Sequence, residues 1–107
     1  MIKRGLASAP AAALLLFIPP AAAAAPRTHV VVIDKMEFGR MPAGLRVGDS
    51  IIWVNKDMFR HSATARNGSF NIDLPTGAKG MTEVKAGTTA VTCKYHPGMQ
   101  VVLKVSK

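Results

Sequence analysis

Residues 88–105 read TTAVTCKYHPGMQVVLKV. The β-branched residues over 88–93 predict a strand. Over residues 101–106, Val101, Leu103 and Val105 alternate with Val102, Lys104 and Ser106. This alternation predicts a closing strand with one buried face. The connection between the two strands carries Cys93, His96 and Met99, so it predicts a loop rich in metal-binding side chains.

The three side chains of this loop suit copper. A trigonal site of two imidazoles and one thiolate, with a weak axial thioether, is the geometry of a blue electron-transfer centre. Cys93 supplies the thiolate, His96 an imidazole and Met99 a thioether, so the fold must deliver one more histidine. His29 lies near the expected start of the mature chain, whereas His61 opens another predicted strand. Because strand-end loops can meet at one end of a β-sandwich, His61 is the expected fourth ligand.

Each of these residues also has an ordinary interpretation. A single cysteine is commonly buried and inert, and Met99 could be a core side chain. A lone histidine at a strand edge is more often a polar residue than a ligand. The combination at tight spacing favours ligation of copper by His61, Cys93, His96 and Met99. Zinc is the main rival metal, but it prefers Cys, His and carboxylate ligands, so a thioether does not favour it.

The first 25 residues have the pattern of a secretory signal peptide. Lys3 and Arg4 precede an apolar run over 11–18, and small residues follow over 21–25. The apolar run is too short to span a bilayer as a helix. Cleavage is expected after Ala24 or Ala25. We therefore expect residues 1–25 to be removed and residues 26–107 to be an exported, periplasmic domain.

The remaining stretch of about 80 residues is long enough for one small domain. No segment has a sustained helical period, and short strands are punctuated by Gly and Pro, which predicts an all-β sandwich or barrel. Residues 51–55 are apolar almost throughout and predict a strand buried on both faces. Residues 35–46 and 69–80 predict mostly irregular structure.

The chain is basic. Without Lys3 and Arg4 the formal net charge falls from +8 to +6. The charges are scattered and no interleaved aromatic platform is visible, so nucleic-acid binding is not expected. Two interpretations remain open, namely a solvated surface that keeps a small protein soluble and electrostatic steering toward an acidic partner.

The sequence resembles the cupredoxins, the type 1 blue copper proteins. The Cys-x-x-His-x-x-Met spacing is similar to the short ligand loop of amicyanins, whereas plastocyanins and pseudoazurins place more residues between the histidine and the methionine. The 47–49 turn and Trp53-Val54-Asn55 ahead of His61 extend the resemblance over nearly all of the mature chain. The resemblance implies a Greek-key β-sandwich of about seven or eight strands and one mononuclear copper site. The ligands it implies are His61, Cys93 and His96, with Met99 in the axial position.

The resemblance also implies how the protein meets its partners. His96 is expected to present its ring edge to solvent within an apolar patch, for which Met58, Phe59 and Pro97 are candidates. The partner would be a redox protein such as a dehydrogenase, a cytochrome or an oxidase. The protein itself is expected to be a monomer that does not span a membrane.

Two residues near the ligands depart from the family pattern. Ser62 stands where many members have an asparagine that braces the two ligand loops. Tyr95 takes a place often held by proline, so its N–H is free to bond the Cys93 sulfur, and such bonds tune the potential. We expect Ser62, Tyr95 and Pro97 to surround the ligands.

The expected function is one-electron transfer by a copper that cycles between Cu(I) and Cu(II). An alternative is copper sequestration or delivery, which the five methionines at 36, 41, 58, 81 and 99 motivate. An enzyme is not expected. A second copper site needs further histidines, and after His61 and His96 only His29 is left.

Overall fold

The structure, a computed structural model, describes residues 25–107. The predicted signal peptide lies outside the described residues except for Ala25. All regular secondary structure over 25–107 is β, and the all-β prediction is confirmed. None of these residues forms a helix long and apolar enough to cross a membrane. The described strands are β1 (Thr28–Asp34), β2 (Glu37–Phe38), β3 (Ser50–Asn55), β4 (His61–Ala65), β5 (Asn71–Leu74), β6 (Lys79–Glu83), β7 (Gly87–Thr92) and β8 (Gln100–Val105).

The strands form two four-stranded sheets that pack as a sandwich. One sheet has the order β2-β1-β3-β6 and the other the order β5-β4-β7-β8. The pairing of β1 with β3 is parallel, and all other named pairings are antiparallel. From β3 onward the chain crosses between the sheets three times, which gives the sandwich implied by the resemblance.

Trp53 is the largest side chain in the core between the sheets. It is fully buried, and its indole N–H donates to the Thr82 hydroxyl at 2.9 Å. Phe38 packs edge-on against it at 5.9 Å between ring centroids. The ring of Phe70, in the loop between β4 and β5, lies 5.8 Å from it. The buried polar atom of the indole is thus satisfied while its rings fill the core.

Strand β3 is buried on one face only, so the prediction that both faces are buried is wrong. Ile51 and Trp53 point inward and are fully buried. Ile52 points outward, between Val30 on β1 and Met81 on β6 in the strand register. Val30 and Met81 are 57% and 62% exposed. The apolar run reflects strand propensity as well as burial, because β-branched residues also suit a half-exposed sheet.

Two strands fall in segments predicted as irregular. β5 (Asn71–Leu74) is a sheet edge, and only Ile72 and Leu74 turn inward from it. β2 has just two residues. It is reached through a turn in which Lys35 and Met36 both have positive φ, of 51° and 63°. Neither residue type favours this conformation, so the sequence gives little sign of the turn.

The fold brings the two predicted ligand segments to one end of the second sheet. β4 starts at His61, and β7 ends at Thr92, just before Cys93. The two strands are antiparallel neighbours, with Thr64 opposite Thr92. Antiparallel pairing therefore places the start of β4 beside the loop that follows β7.

Candidate metal centre

Three of the predicted ligands converge. One donor atom from each of His61, Cys93 and His96 lies within 4.8 Å of the others. Cys93 Sγ is 3.7 Å from His61 Nδ1, and the two imidazole centroids are 4.9 Å apart. A thiolate and two imidazoles at this spacing fit a single copper ion, since soft sulfur and imidazole donors both suit copper.

The Cys93 sulfur is buried and receives a backbone hydrogen bond. Cys93 is 2% exposed, and the N–H of Ser62 donates to Sγ at 3.3 Å. The Ser62 hydroxyl in turn accepts the N–H of Lys94 at 2.8 Å. Serine, at the position where relatives often carry asparagine, thus joins the His61 segment to the Cys93 loop through both its backbone and its side chain.

Asp57 is a residue of this site that sequence reasoning missed. His61 is fully buried, and its Nε2 lies 2.8 Å from the Asp57 carboxylate. A neutral His61 therefore donates from Nε2, which leaves the Nδ1 lone pair facing Cys93 Sγ. A carboxylate behind a metal-binding histidine fixes its tautomer and ring orientation in this way. The only sequence signal is an aspartate four residues before the histidine.

The Asp57 carboxylate is itself held by the backbone. It accepts the N–H of Met36 at 2.9 Å and the N–H of Met58 at 2.8 Å. The hydrogen bond with His61, followed by the bond from Met36, lowers the pKa of Asp57 below its usual range. The carboxylate is therefore ionised at neutral pH and remains an acceptor.

Asn55 shapes the loop that carries Asp57. It is fully buried at the end of β3. Its side-chain amide donates to the carbonyls of Phe59 and Leu74, both at 2.8 Å. Its side-chain oxygen accepts the N–H of Asp57 at 2.9 Å. One buried amide thus fixes the path of the chain from β3 to His61.

His96 lies at the surface of the site. Its ring is half-buried, and Nε2 lies 3.1 Å from the Arg60 carbonyl oxygen. The ring edge that the resemblance places in solvent is thus partly covered by the chain. Phe59 packs edge-on at 6.1 Å between centroids. Met58 and Phe59 are 77% and 48% exposed, and Pro97 is also exposed, so all three candidates are accessible and Phe59 contacts the His96 ring.

Met99 is the last residue of the ligand loop before β8, and its side chain is buried. It is 5% exposed and belongs to the same buried cluster as Cys93. Its N–H donates to the His96 carbonyl at 2.9 Å, and its carbonyl accepts the N–H of Cys93 at 3.2 Å. These two bonds make the loop a tight turn between β7 and β8.

Tyr95 does not make the contact expected from sequence. Within residues 25–107, the backbone N–H that bonds the Cys93 sulfur belongs to Ser62. The Tyr95 side chain instead reaches outward, and its hydroxyl donates to Asp73 at 2.6 Å.

Comparison with known proteins finds solved structures that are similar to this one. No protein-family model and no curated protein sequence matches the chain. A reduced amicyanin variant is similar at TM-score 0.60 and 26% identity, over 74% of this chain and 82% of that one. The Cu(I) form of another amicyanin variant gives 0.62 and 24% over the same shares. A purple cupredoxin from Nitrosopumilus maritimus gives 0.57 and 20%, over 73% of this chain and 99% of that one.

The chain has a fold like that of the cupredoxins, and its candidate metal centre is consistent with this likeness. Its two-sheet sandwich is that of the cupredoxins, and its His-Cys-His group fits a single copper site. Among the cupredoxins, the amicyanin variant is similar to this chain over 74% of the chain's length.

Proposed function

We propose that the protein is a periplasmic one-electron carrier with a type 1 copper site. The observation that carries the proposal is the convergence of His61, Cys93 and His96 within 4.8 Å on a cupredoxin fold. Bound copper would supply the Cu(I)/Cu(II) couple. The absence of a second histidine pair in the sequence argues against catalysis by a further copper, so we do not propose an enzyme.

The residues of this chain would hold the donors in one arrangement. Asp57 keeps the His61 proton on Nε2 and leaves Nδ1 free. Ser62 donates to the Cys93 sulfur and so lowers the charge density of the thiolate. Burial of His61 and Cys93 keeps water from the site. A fixed donor geometry limits the rearrangement that accompanies a change of oxidation state.

The simplest test is the visible spectrum of the purified protein with one equivalent of Cu(II), followed by a redox titration. We expect an intense visible band that disappears on reduction and returns on oxidation. A colourless copper complex would contradict the proposal.

We also propose that Met99 is the axial ligand, because it is buried next to Cys93 on the same loop. We expect Met99→Leu to retain copper with a higher reduction potential, since loss of thioether donation destabilises Cu(II) more than Cu(I). A rise on the order of 60 mV corresponds to a tenfold change in the ratio of the two affinities. Met81→Leu, at an exposed methionine on the outer face, is the control. A potential unchanged by Met99→Leu would remove Met99 from the axial role.

The partner is proposed to be an acidic redox protein. His96 is in contact with the exposed Phe59 and is followed by the exposed Pro97, which supports docking at this end of the molecule. The basic charge of the chain supports attraction of an acidic surface. We expect electron transfer to an acidic cytochrome, followed by stopped flow, to slow about tenfold as ionic strength rises from 0.01 M to 0.15 M. A rate indifferent to salt would exclude steering.

Copper sequestration or delivery is the alternative function. Met36 and Met58 are exposed, at 38% and 77%, and both donate a backbone N–H to Asp57. Two exposed thioethers therefore lie near the end of the molecule that holds the site, where they could hand on Cu(I). Rapid loss of Cu(I) to a competing chelator would favour this alternative, whereas slow loss favours the electron carrier.

A further inference from the structure

The side chain of Tyr95 links the ligand loop to a strand outside it. Tyr95 lies between Cys93 and His96, and its hydroxyl donates to the Asp73 carboxylate at 2.6 Å. A short hydrogen bond from a hydroxyl to a carboxylate is charge-assisted and stronger than one between neutral groups.

The acceptor stands on the hairpin that carries the other half of the site. Asp73 is on β5, directly opposite Ser62 on β4 in the antiparallel register. Ser62 follows His61 and donates to the Cys93 sulfur. The bond from Tyr95 thus joins the ligand loop to the β4–β5 hairpin at the residue pair that contains Ser62, the sulfur's own donor.

The ring of Tyr95 is held as well. The Arg60 guanidinium carbon lies 5.8 Å from the ring centroid, and Lys94 Nζ lies 5.9 Å from it. Arg60 precedes His61 and offers its carbonyl to His96 at 3.1 Å. A cation over an aromatic face is attractive even at an exposed site. The ring of Tyr95 therefore lies beside the residue that precedes His61, while its hydroxyl bonds Asp73 on β5.

Other contacts do not provide the same restraint. The bond from the Lys94 N–H to Ser62 fixes the start of the loop. The bonds between Cys93, His96 and Met99 lie within the loop. Among the described contacts, the Tyr95 hydroxyl makes the only hydrogen bond from the loop to β5, and the Lys94 ammonium lies farther from the same carboxylate, at 3.9 Å. Tyr95 is 42% exposed, so its role in the core is small.

We propose that Tyr95 is a positioning residue for the copper centre, acting through its bond to Asp73 to hold the ligand loop against the β4–β5 hairpin. This inference rests on the proposed function. A proline, which often occupies this place, would restrain the loop through its rigid ring. Here an exposed tyrosine supplies the restraint. The loop is held by a long-range hydrogen bond instead of by local rigidity.

The test is Tyr95→Phe, which keeps the ring and its stacking but removes the donor. We expect the copper-loaded variant to keep its intense visible band. We expect its electron self-exchange to slow about fivefold, as suits one lost hydrogen bond. In the Cu(I) and copper-free forms, hydrogen exchange at the Cys93 and Lys94 amides should speed up by a similar factor. Exchange in β1 should not change.

Two further variants separate the hydrogen bond from other effects. Asp73→Ala should reproduce the changes, and the double variant should be no worse than either single one, because both remove the same interaction. Lys94→Gln removes the Lys94–Asp73 ion pair, at 3.9 Å, and the ammonium beside the Tyr95 ring, and it should change both readouts less than Tyr95→Phe does.

The outcomes distinguish this inference from the proposed function. Unchanged self-exchange and amide exchange in a Tyr95→Phe protein that is still coloured would overturn the positioning role and leave the copper assignment intact. Additive effects of Tyr95→Phe and Asp73→Ala would overturn the link between them. A wild-type protein without a visible band would reject the proposed function, while the amide-exchange comparison in the copper-free form would still test the restraint.

Discussion

Cys93→Ser is expected to abolish the intense visible absorption of the copper-loaded protein. The band of a type 1 site comes from charge transfer between the thiolate sulfur and Cu(II), and a serine hydroxyl at neutral pH offers no thiolate. Serine is close to cysteine in size, so the buried position next to Ser62 is not emptied. The measurement is the spectrum of wild type and variant at equal copper content.

The control for this experiment is a variant that changes another sulfur. Met81→Leu alters an exposed thioether on the outer face of β6, and it should leave the band unchanged. Circular dichroism of both variants without copper checks that the β-sandwich is formed. An undiminished band in Cys93→Ser would refute thiolate ligation.

Asp57→Ala is expected to weaken copper binding by about 10- to 100-fold, the usual effect of removing the partner behind a ligand histidine. Without the carboxylate, the buried His61 loses the acceptor that holds its proton on Nε2, and the Met36 and Met58 amides lose theirs. Competition with a Cu(I) chelator of known affinity measures the change. The copper-free variant should also be less stable, because buried donors are left without partners.

Two comparisons sharpen this prediction. Asp57→Asn keeps an acceptor without the charge, so its effect should fall between those of wild type and Asp57→Ala. Asp34→Ala removes a nearby aspartate whose side chain bonds only the next N–H, that of Lys35, and it should leave affinity unchanged. If Asp57→Ala bound copper as tightly as wild type, the orienting role of Asp57 would be wrong.

The sequence was sufficient for the parts of the site that depend on local spacing. Cys93, His96 and Met99 lie on one loop by connectivity, and a period of two over residues 101–106 predicted the strand that follows. The prediction of His61 as a ligand required only that the ends of two strands lie close together. The structure brings His61 to Cys93 and His96 because β4 and β7 are antiparallel neighbours.

The parts that sequence reasoning missed depend on register between distant segments. Tyr95 and Asp73 are 22 residues apart, and they meet only because β5 pairs with β4 at one particular register. Asp57 looked like an ordinary residue of a polar loop, since its neighbours gave no sign that Asn55 folds the loop inward. β5 itself was hidden because an edge strand needs few apolar residues.

The turn between β1 and β2 has an energetic meaning for the site. Lys35 and Met36 both adopt left-handed backbone conformations, each of which costs a non-glycine residue about 1–2 kcal/mol. In this turn the Met36 N–H donates to the Asp57 carboxylate. The same carboxylate accepts the hydrogen bond from His61. Conformational strain in one hairpin is therefore coupled to the orientation of an imidazole in the opposite sheet. A turn without these two left-handed residues would be less strained. It would also lose the Met36 hydrogen bond that helps to orient His61 toward the sulfur.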